Sequence, residues 1–196
     1  MDSITSKKDI KSLLKKAESF CAAKKIDIVF TYDISNELLE TISLRTKEAP
    51  TMCFADVYML KERLKNGCFL LKKNEEVIGH IFSHKHMMYN YAIYERSSLW
   101  VHPAYKNNYL SLLLMNLLTS RFSKEFLISI AQVTKVHQNN ELLGMKHILI
   151  SDLSPEIIGN LEKIGKLRDE FKYRYYVNPY FELKIKQLNK ILIKDI

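Results

Sequence analysis

The sequence predicts a mixed α/β fold, in which helices cover the faces of a central sheet. Hairpin-type strand patterns fill the middle of the chain, a leucine-rich helical segment follows them, and strand and helix patterns then alternate. The 196 residues contain no repeat, low-complexity stretch or linker, and the four prolines and five glycines do not cluster. We therefore expect a single domain.

The first third of the chain carries three helical patterns around one strand. Apolar residues at helical spacing predict a helix over residues 9–25, which extends the fold at its N-terminal side. Residues 26–31 alternate between apolar and polar side chains, as a strand does. Asp33 or Ser35 opens a second helix, and residues 54–64 form a third that ends at Asn66-Gly67.

The middle third is predicted to hold three strands and an apolar helix. Residues 68–72 and 77–84 are strand-like and flank a turn at Asn74-Glu75. Another strand follows Tyr89-Asn90 and runs to about His102. Residues 110–122 are rich in leucine, and their length and lack of β-branching indicate a helix.

The last third continues the alternation of strands and helices. We expect a strand over residues 126–133 and a helix that Gly144 ends. The C-terminal part, residues 151–196, is predicted to hold a helix over 155–164 and two strands, over 173–177 and 180–186.

Charge and composition narrow the class of function. The net charge is +8 and the pI is about 9.2, but the lysines are scattered, which indicates a solvated surface and argues against a nucleic-acid partner. No apolar run has transmembrane length and the N-terminus lacks a signal segment, so we expect a cytoplasmic protein without membrane contact. The spacing of the five glycines excludes dinucleotide-binding and Walker loops.

Three segments together resemble the GNAT superfamily of acyl-CoA-dependent N-acyltransferases. Residues 66–80 are similar to the second and third strands of the family, with a charged turn before Ile78-Gly79. Residues 99–114 are similar to its fourth strand, its pyrophosphate loop and the helix after the loop. Residues 127–145 match its fifth strand and the Leu-Gly ending of the next helix. The resemblance covers about residues 26–150.

The resemblance implies a fold, a cofactor and a set of binding residues. The fold would be a GNAT-like, mostly antiparallel sheet of six to seven strands with helices on both faces and an extra N-terminal helix. The cofactor would be acetyl-CoA or another acyl-CoA, whose pyrophosphate binds main-chain N–H groups at a helix start. The implied cofactor-binding residues are Leu99, Trp100, Val101, Lys106, Asn107, Asn108, Tyr109, Leu110 and Ser111.

The predicted pyrophosphate loop departs from the family pattern. Lys106 stands where the family has Arg or Gln, while Tyr109 and Ser111 stand at the glycine positions. Glycine allows positive φ and close approach of the backbone to phosphate, and asparagines such as Asn107 and Asn108 also reach the left-handed region. Either the Tyr109 side chain points away and the loop binds CoA, or binding is weakened or lost.

The resemblance also implies catalytic positions. The tyrosine that protonates the leaving CoA thiolate in the family falls at Asn140, and an amide is no proton donor of that kind. His137, one helical turn earlier, or water would take that role. Glu95 is the carboxylate best placed to act as the base that removes the amine proton. The alternative for Glu95 is a solvent-facing position at a hairpin end.

Histidines at even spacing raise the question of a metal site. His80, His84 and His86 alternate along one predicted strand, but the strand rise separates the first from the last by about 20 Å. Only His84 and His86 could share an ion, and no carboxylate or cysteine is nearby in sequence. We therefore expect no metal. A role for His84 or His86 in the acceptor pocket is the alternative.

The acceptor is expected to be an amine on a small molecule or peptide. Its pocket would involve residues 47–52, residues 87–94 and the C-terminal strands. A second hypothesis is a degenerate relative that binds a ligand or partner without catalysis, because Tyr109 and Asn140 break the family pattern. A homodimer is compatible with either hypothesis.

Overall fold

The computed structural model describes residues 7–49, 52–88, 91–153, 155–169 and 172–192. These residues form a seven-stranded sheet with the strand order β1-β2-β3-β4-β5-β7-β6. The strands are β1 Ile26–Thr31, β2 Cys68–Lys73, β3 Glu76–Met88, β4 Tyr91–Val101, β5 Phe126–Ala131, β6 Lys146–Ile148 and β7 Arg174–Val177. Strands β4 and β5 pair in parallel, while β1 with β2, β2 with β3, β5 with β7 and β6 with β7 pair antiparallel. This mixed, mostly antiparallel sheet confirms the predicted fold class.

Seven α-helices accompany the described strands. They are α1 Lys7–Lys24, α2 Asn36–Glu48, α3 Val57–Leu64, α4 Leu110–Arg121, α5 Thr134–Leu142, α6 Pro155–Lys163 and α7 Pro179–Leu192. Short 3₁₀ turns occur at Pro103–Tyr105 and Ile150–Asp152. The chain divides into two compact units, one of residues 1–84 and 96–120 and the other of residues 85–95 and 121–196. The expectation of a single domain stays a prediction.

Two helix starts show how local sequence sets element boundaries. The Ser35 hydroxyl accepts a hydrogen bond from Leu38 N at 3.2 Å, so Ser35 is the N-cap of α2. Of the two predicted starting residues, Asp33 and Ser35, the structure has Ser35. Helix α3 begins at Val57, three residues later than predicted, because Asp56 Oδ1 caps Met59 N at 2.7 Å. Polar side chains that bond the first free N–H groups thus decide both starts.

In the first unit, α2 and α4 pack on opposite faces of the sheet. Leu70 of β2 belongs to a buried cluster with Leu39 and Ile42 of α2. The next residue, Leu71, is paired with Gly79, and a Cβ at Gly79 would meet both Leu71 and Leu114 of α4. Because successive strand residues point to opposite faces, α2 covers the Leu70 face and α4 covers the Leu71 face.

In the second unit, the N-terminal half of β4 lies beside β5. The parallel pairing runs from Ile93 opposite Phe126 to Glu95 opposite Ile128. Strand β7 joins β5 on its other side, antiparallel, with Ser129 opposite Tyr176. The core of this unit combines strand residues with residues of α6 and α7, namely Ile93, Phe126, Ile128, Leu153, Ile157, Leu161, Tyr175, Val177, Phe181 and Ile185.

The strand predicted over residues 180–186 is wrong, because these residues belong to helix α7. Pro179 occupies the first helical position, and Asn178 Oδ1 accepts a hydrogen bond from Phe181 N at 3.1 Å, which is how an N-cap acts. Phe181 and Ile185 are both buried and four residues apart, so they form the inward face of a helix. The C-terminal quarter therefore holds α6, β7 and α7 and only one of the two predicted strands.

Candidate functional site

The end of β4 carries the residues that the sequence assigns to the acyl-CoA arm. Leu99, Trp100 and Val101 are all half-buried strand residues. The Trp100 indole stacks on the His80 ring at 5.6 Å and receives the Arg45 guanidinium at 4.0 Å from its centroid. The Trp100 indole is therefore in contact with both His80 and Arg45.

A left-handed residue lies within β4, two positions before Trp100. Ser98 has φ +49°, a conformation that is uncommon for a residue other than glycine. Two side chains hold it: Arg63 Nη1 donates to Ser98 Oγ at 2.6 Å, and His80 Nδ1 donates to the Ser98 carbonyl at 2.7 Å. Burial lowers the pKa of His80 to about 3. The hydrogen bond to Ser98 acts in the opposite direction, and the nearby positive charge of Arg45 lowers the pKa further. The His80 ring is therefore neutral.

The loop before α4 adopts the backbone conformation that glycine would supply. Asn107 has φ +67° and Tyr109 has φ +58°, so the residue at the first family glycine position is left-handed although it is a tyrosine. Asn108 Nδ2 donates to the carbonyls of Tyr105 and Lys106 at 3.3 and 3.1 Å. The loop geometry is thus kept by asparagine hydrogen bonds without any glycine.

The start of α4 combines buried leucines with residues that are partly exposed. The Tyr109 carbonyl accepts the first helical hydrogen bond, from Leu113 N at 2.9 Å, so the N–H groups of the residues before Leu113 have no helical acceptor. Leu110 is buried and anchors the helix, whereas Ser111 and Tyr109 are half-buried and Lys106 and Asn107 are exposed. Together these residues form a helix start that suits an anion.

Glu95 lies in a buried ionic cluster in the second unit. Its Oε2 is 2.8 Å from His86 Nε2 and 2.9 Å from Lys166 Nζ. The three side chains expose only 10%, 7% and 16% of their surface, respectively. The alternative of a solvent-facing Glu95 at a hairpin end is therefore wrong. The sequence showed no carboxylate close to His86, because Glu95 lies on the neighbouring strand and meets His86 only in the folded sheet.

The partners of Glu95 decide its charge. Burial by itself raises the pKa of a carboxyl group, but the hydrogen bond from His86 and the charge of Lys166 outweigh burial and hold the pKa of Glu95 at about 2. Glu95 is thus a carboxylate at every pH of interest. A carboxylate of such low basicity orients and stabilises a neighbouring cation more readily than it accepts a proton from an amine.

The two α5 candidates occupy different environments. Asn140 is fully buried, and its Nδ2 donates to Ser129 Oγ at 3.3 Å, while its backbone carbonyl accepts from Met145 N at 3.0 Å. His137 stacks on Tyr176 at 5.8 Å, and burial, with the nearby Arg174 charge, lowers the pKa of His137. His137 Nδ1 is buried without a hydrogen-bond partner among the described residues. Asn140 thus joins α5 to Ser129 of β5 by a hydrogen bond, and His137 is a neutral ring at pH 7.

The sequence did not reveal Lys166, Arg45, Arg63 or the left-handed Ser98. Each contacts its partner over a long sequence separation, and no local pattern marks such a contact. Of the predicted acceptor-pocket segments, residues 50, 51, 89 and 90 lie outside the described residues.

Neither the scan against family models nor the search of curated proteins gives a match. The search of solved structures gives many. N-acetylglutamate synthase from Neisseria gonorrhoeae, complexed with coenzyme A and N-acetyl-glutamate, matches with TM-score 0.56 and 10% identity over 78% of this chain and 35% of that chain. A GNAT-family acetyltransferase from Staphylococcus aureus matches with TM-score 0.55 and 16% identity over 79% of this chain and 99% of that chain. Arabidopsis thaliana Naa50, in complex with a bisubstrate analogue, matches with TM-score 0.53 and 14% identity over 76% and 96%.

These similarities establish the fold. The chain has the GNAT fold, and the resemblance drawn from the sequence is confirmed at that level. The chain spans about a third of the length of the N-acetylglutamate synthase, and nearly all of the other two proteins. Among the helices that the structure describes, none has the length and apolarity that crossing a bilayer requires.

Proposed function

We propose that the protein transfers an acetyl or other acyl group from acyl-CoA to an amine. The observation that carries the proposal is the loop before α4, in which Asn107 and Tyr109 take the left-handed conformation although the loop has no glycine. Such a conformation is uncommon outside glycine, and it persists where surrounding structure imposes it. The loop leads directly into the N-terminus of α4, and helix N-termini are favourable places for a phosphate.

The proposed cofactor contacts follow from the elements of the first unit. Lys106 and the N–H groups of Tyr109, Leu110 and Ser111 hold the pyrophosphate, with Asn107 and Asn108 shaping the loop. The backbone of Leu99, Trp100 and Val101 pairs with the pantetheine arm. The chemistry of the structurally similar proteins favours this assignment, since several of them were solved with coenzyme A or acetyl-CoA.

The proposed reaction is direct attack on the thioester. The amine nitrogen forms a bond to the acyl carbon, the carbon–sulfur bond breaks, and CoA leaves as a thiolate. The amine proton passes to the buried pair of His86 and Glu95, in which His86 Nε2 lies 2.8 Å from Glu95 Oε2. Glu95, ionised and held by Lys166, then stabilises the imidazolium. In this proposal Glu95 supports proton removal by His86, whereas the sequence prediction had Glu95 as the base itself.

The leaving thiolate needs little assistance, because a thiol has a pKa of about 8.5. His137, as a neutral ring, can supply an N–H to it, and Asn140 contributes by holding Ser129 and the end of α5. The acceptor is proposed to be an amine on a small molecule or a peptide.

The experiment that tests this function is thiol release from acetyl-CoA over a panel of amines. We expect amine-dependent release, and His86→Gln lowers kcat by about 10²- to 10⁴-fold, the range for loss of a general base. The matched control is Lys85→Gln, because Lys85 precedes His86 on β3 but is exposed. Release that His86→Gln leaves intact contradicts the proposed proton path.

A second candidate function has one observation in its favour. Asn140 replaces the proton-donating tyrosine of the family and is committed to Ser129, as expected in a protein that binds acyl-CoA without transferring the acyl group. Thermal stabilisation by acetyl-CoA without thiol release on any amine identifies this case.

A further inference from the structure

Arg45 and Trp100 form a small polar cluster on one face of the first unit. Arg45 lies in the last turn of α2, and its guanidinium carbon is 4.0 Å from the centroid of the Trp100 ring. His80 lies next to the same indole at 5.6 Å. An arginine stacked on an aromatic ring has its plane fixed, while its N–H donors point outward along the edge.

One of those donors has nothing to bind. Arg45 Nη1 is buried and has no hydrogen-bond partner among the described residues. The ion pairs of the described chain involve Lys65, His86 and Lys166, and Arg45 forms none of them. Burial lowers the pKa of Arg45, and the charge of Glu76 opposes this from a distance without an ion pair. A buried donor of a charged group that stays unsatisfied is costly, which indicates a ligand that completes it.

The position of the cluster separates it from the proposed pyrophosphate loop. His80 is paired with Leu70, and therefore faces the side of the sheet that α2 covers. Helix α4, whose start is proposed to hold the pyrophosphate, covers the opposite face, where Leu114 lies next to Gly79. A ligand that binds Arg45 therefore lies on the sheet face opposite the proposed pyrophosphate site.

We propose that Arg45 binds a carboxylate on the acceptor, so that the acceptor class is an amine that also carries a carboxylate. This rests on the proposed function and deepens it. A guanidinium can donate two parallel N–H bonds to the two oxygens of a carboxylate, the pairing in which arginine is most specific, and Nη1 of Arg45 is a donor that has no partner among the described residues. Trp100 keeps the guanidinium plane in place and lies in the part of β4 proposed to hold the acyl donor.

Trp100 is the only tryptophan of the chain, so its fluorescence reports directly on this cluster. The probes are glycine, β-alanine and 4-aminobutyrate, each compared with its own amide, because the distance from amine to carboxylate is the unknown. We expect at least one acid to change the Trp100 emission saturably and to bind about 10- to 100-fold more tightly than its amide. Arg45→Gln abolishes this difference, and Arg45→Lys, which keeps the charge without the fork, reduces it.

The control variant is Lys61→Gln, which removes one exposed positive charge from the neighbouring helix α3 and leaves the preference unchanged. Thermal melting tests whether each variant is folded. If Arg45→Gln does not fold, the titrations with Arg45→Lys test the proposal. The proposal is overturned if no acid is favoured over its amide, or if the Arg45 variants keep the preference. It is also overturned if they weaken acetyl-CoA binding and leave the preference intact, since the anion then comes from CoA.

The fluorescence titration needs no catalysis, which keeps the two proposals distinguishable. A protein that binds the acids through Arg45 but shows no stabilisation by acetyl-CoA refutes the transferase function and keeps the carboxylate site. If the protein acetylates amines equally well with and without a carboxylate, the transferase function stands and the carboxylate site at Arg45 is refuted. In the thiol-release assay, the supporting result is a higher KM of the acid for Arg45→Gln with a similar kcat.

Discussion

Replacing Glu95 by glutamine probes the buried ionic cluster most sharply. Glutamine keeps the shape of the side chain but removes the negative charge that Lys166 and His86 share. The low pKa of Glu95 means that folding stabilises the ionised carboxylate of Glu95 more than its protonated form. The difference between the usual 4.5 and about 2 corresponds to roughly 3 kcal/mol of unfolding free energy.

We therefore expect Glu95→Gln to lower the unfolding free energy by about 3 kcal/mol at pH 7, measured by urea denaturation. Most of this loss arises because the Lys166 ammonium is left buried without a counter-charge. Adding Lys166→Met removes that charge, so the double variant is more stable than the sum of the single changes predicts. Glu62→Gln is the control, because it breaks an exposed pair with Lys65 and changes stability little.

The pH dependence has a defined sign. Because the folded protein holds the pKa of Glu95 low, the stabilisation is complete above the usual pKa of 4.5 and is lost as the pH falls toward 2. The difference between wild type and Glu95→Gln therefore shrinks over that window. A variant within about 1 kcal/mol of wild type at pH 7, with no coupling to Lys166, refutes the account of the cluster.

Three further predictions concern the loop, the buried histidine and the last helix. Tyr109→Gly retains acetyl-CoA binding because glycine adopts φ +58° freely, whereas Tyr109→Val weakens binding because valine resists that conformation. Calorimetric titration measures both affinities, and equal affinities of the two variants contradict this prediction. His80 stays neutral when folded, so wild type loses about 2 kcal/mol more stability than His80→Phe between pH 6.5 and 4.5 in urea denaturation, and parallel curves contradict this. Asn178→Ala, which removes hydrogen bonds to Leu127, Phe181 and two carbonyls, costs about 3 kcal/mol in thermal or urea unfolding, and a loss below about 1 kcal/mol contradicts its capping role.

The sequence predicted the elements whose signals are local. The turn at Asn74, the cap at Ser35 and the leucine-rich α4 each depend on neighbouring residues, and the structure has them. The strand predicted in place of α7 failed because Tyr180 to Ile185 alternates like a strand, while Asn178 and Pro179 start a helix that buries Phe181 and Ile185.

The candidate site was less predictable because its contacts cross between elements. Glu95 was found from its position on a strand, but its state depends on Lys166, 71 residues later in the sequence, and on His86 across the sheet. Tyr109 looked incompatible with the loop because a side chain at that position is normally disfavoured at positive φ. The backbone of the loop adopts that conformation nevertheless.

The most direct test compares acetyl-CoA with acetyl-pantetheine, which lacks the pyrophosphate and nucleotide, by calorimetric titration against wild type, Lys106→Glu and the α3 control Lys61→Glu. The account predicts that Lys106→Glu weakens acetyl-CoA binding by about tenfold or more, leaves acetyl-pantetheine binding unchanged, and that Lys61→Glu affects neither. Equal affinities of wild type and Lys106→Glu for acetyl-CoA, or no binding by wild type, contradict a pyrophosphate site at the start of α4.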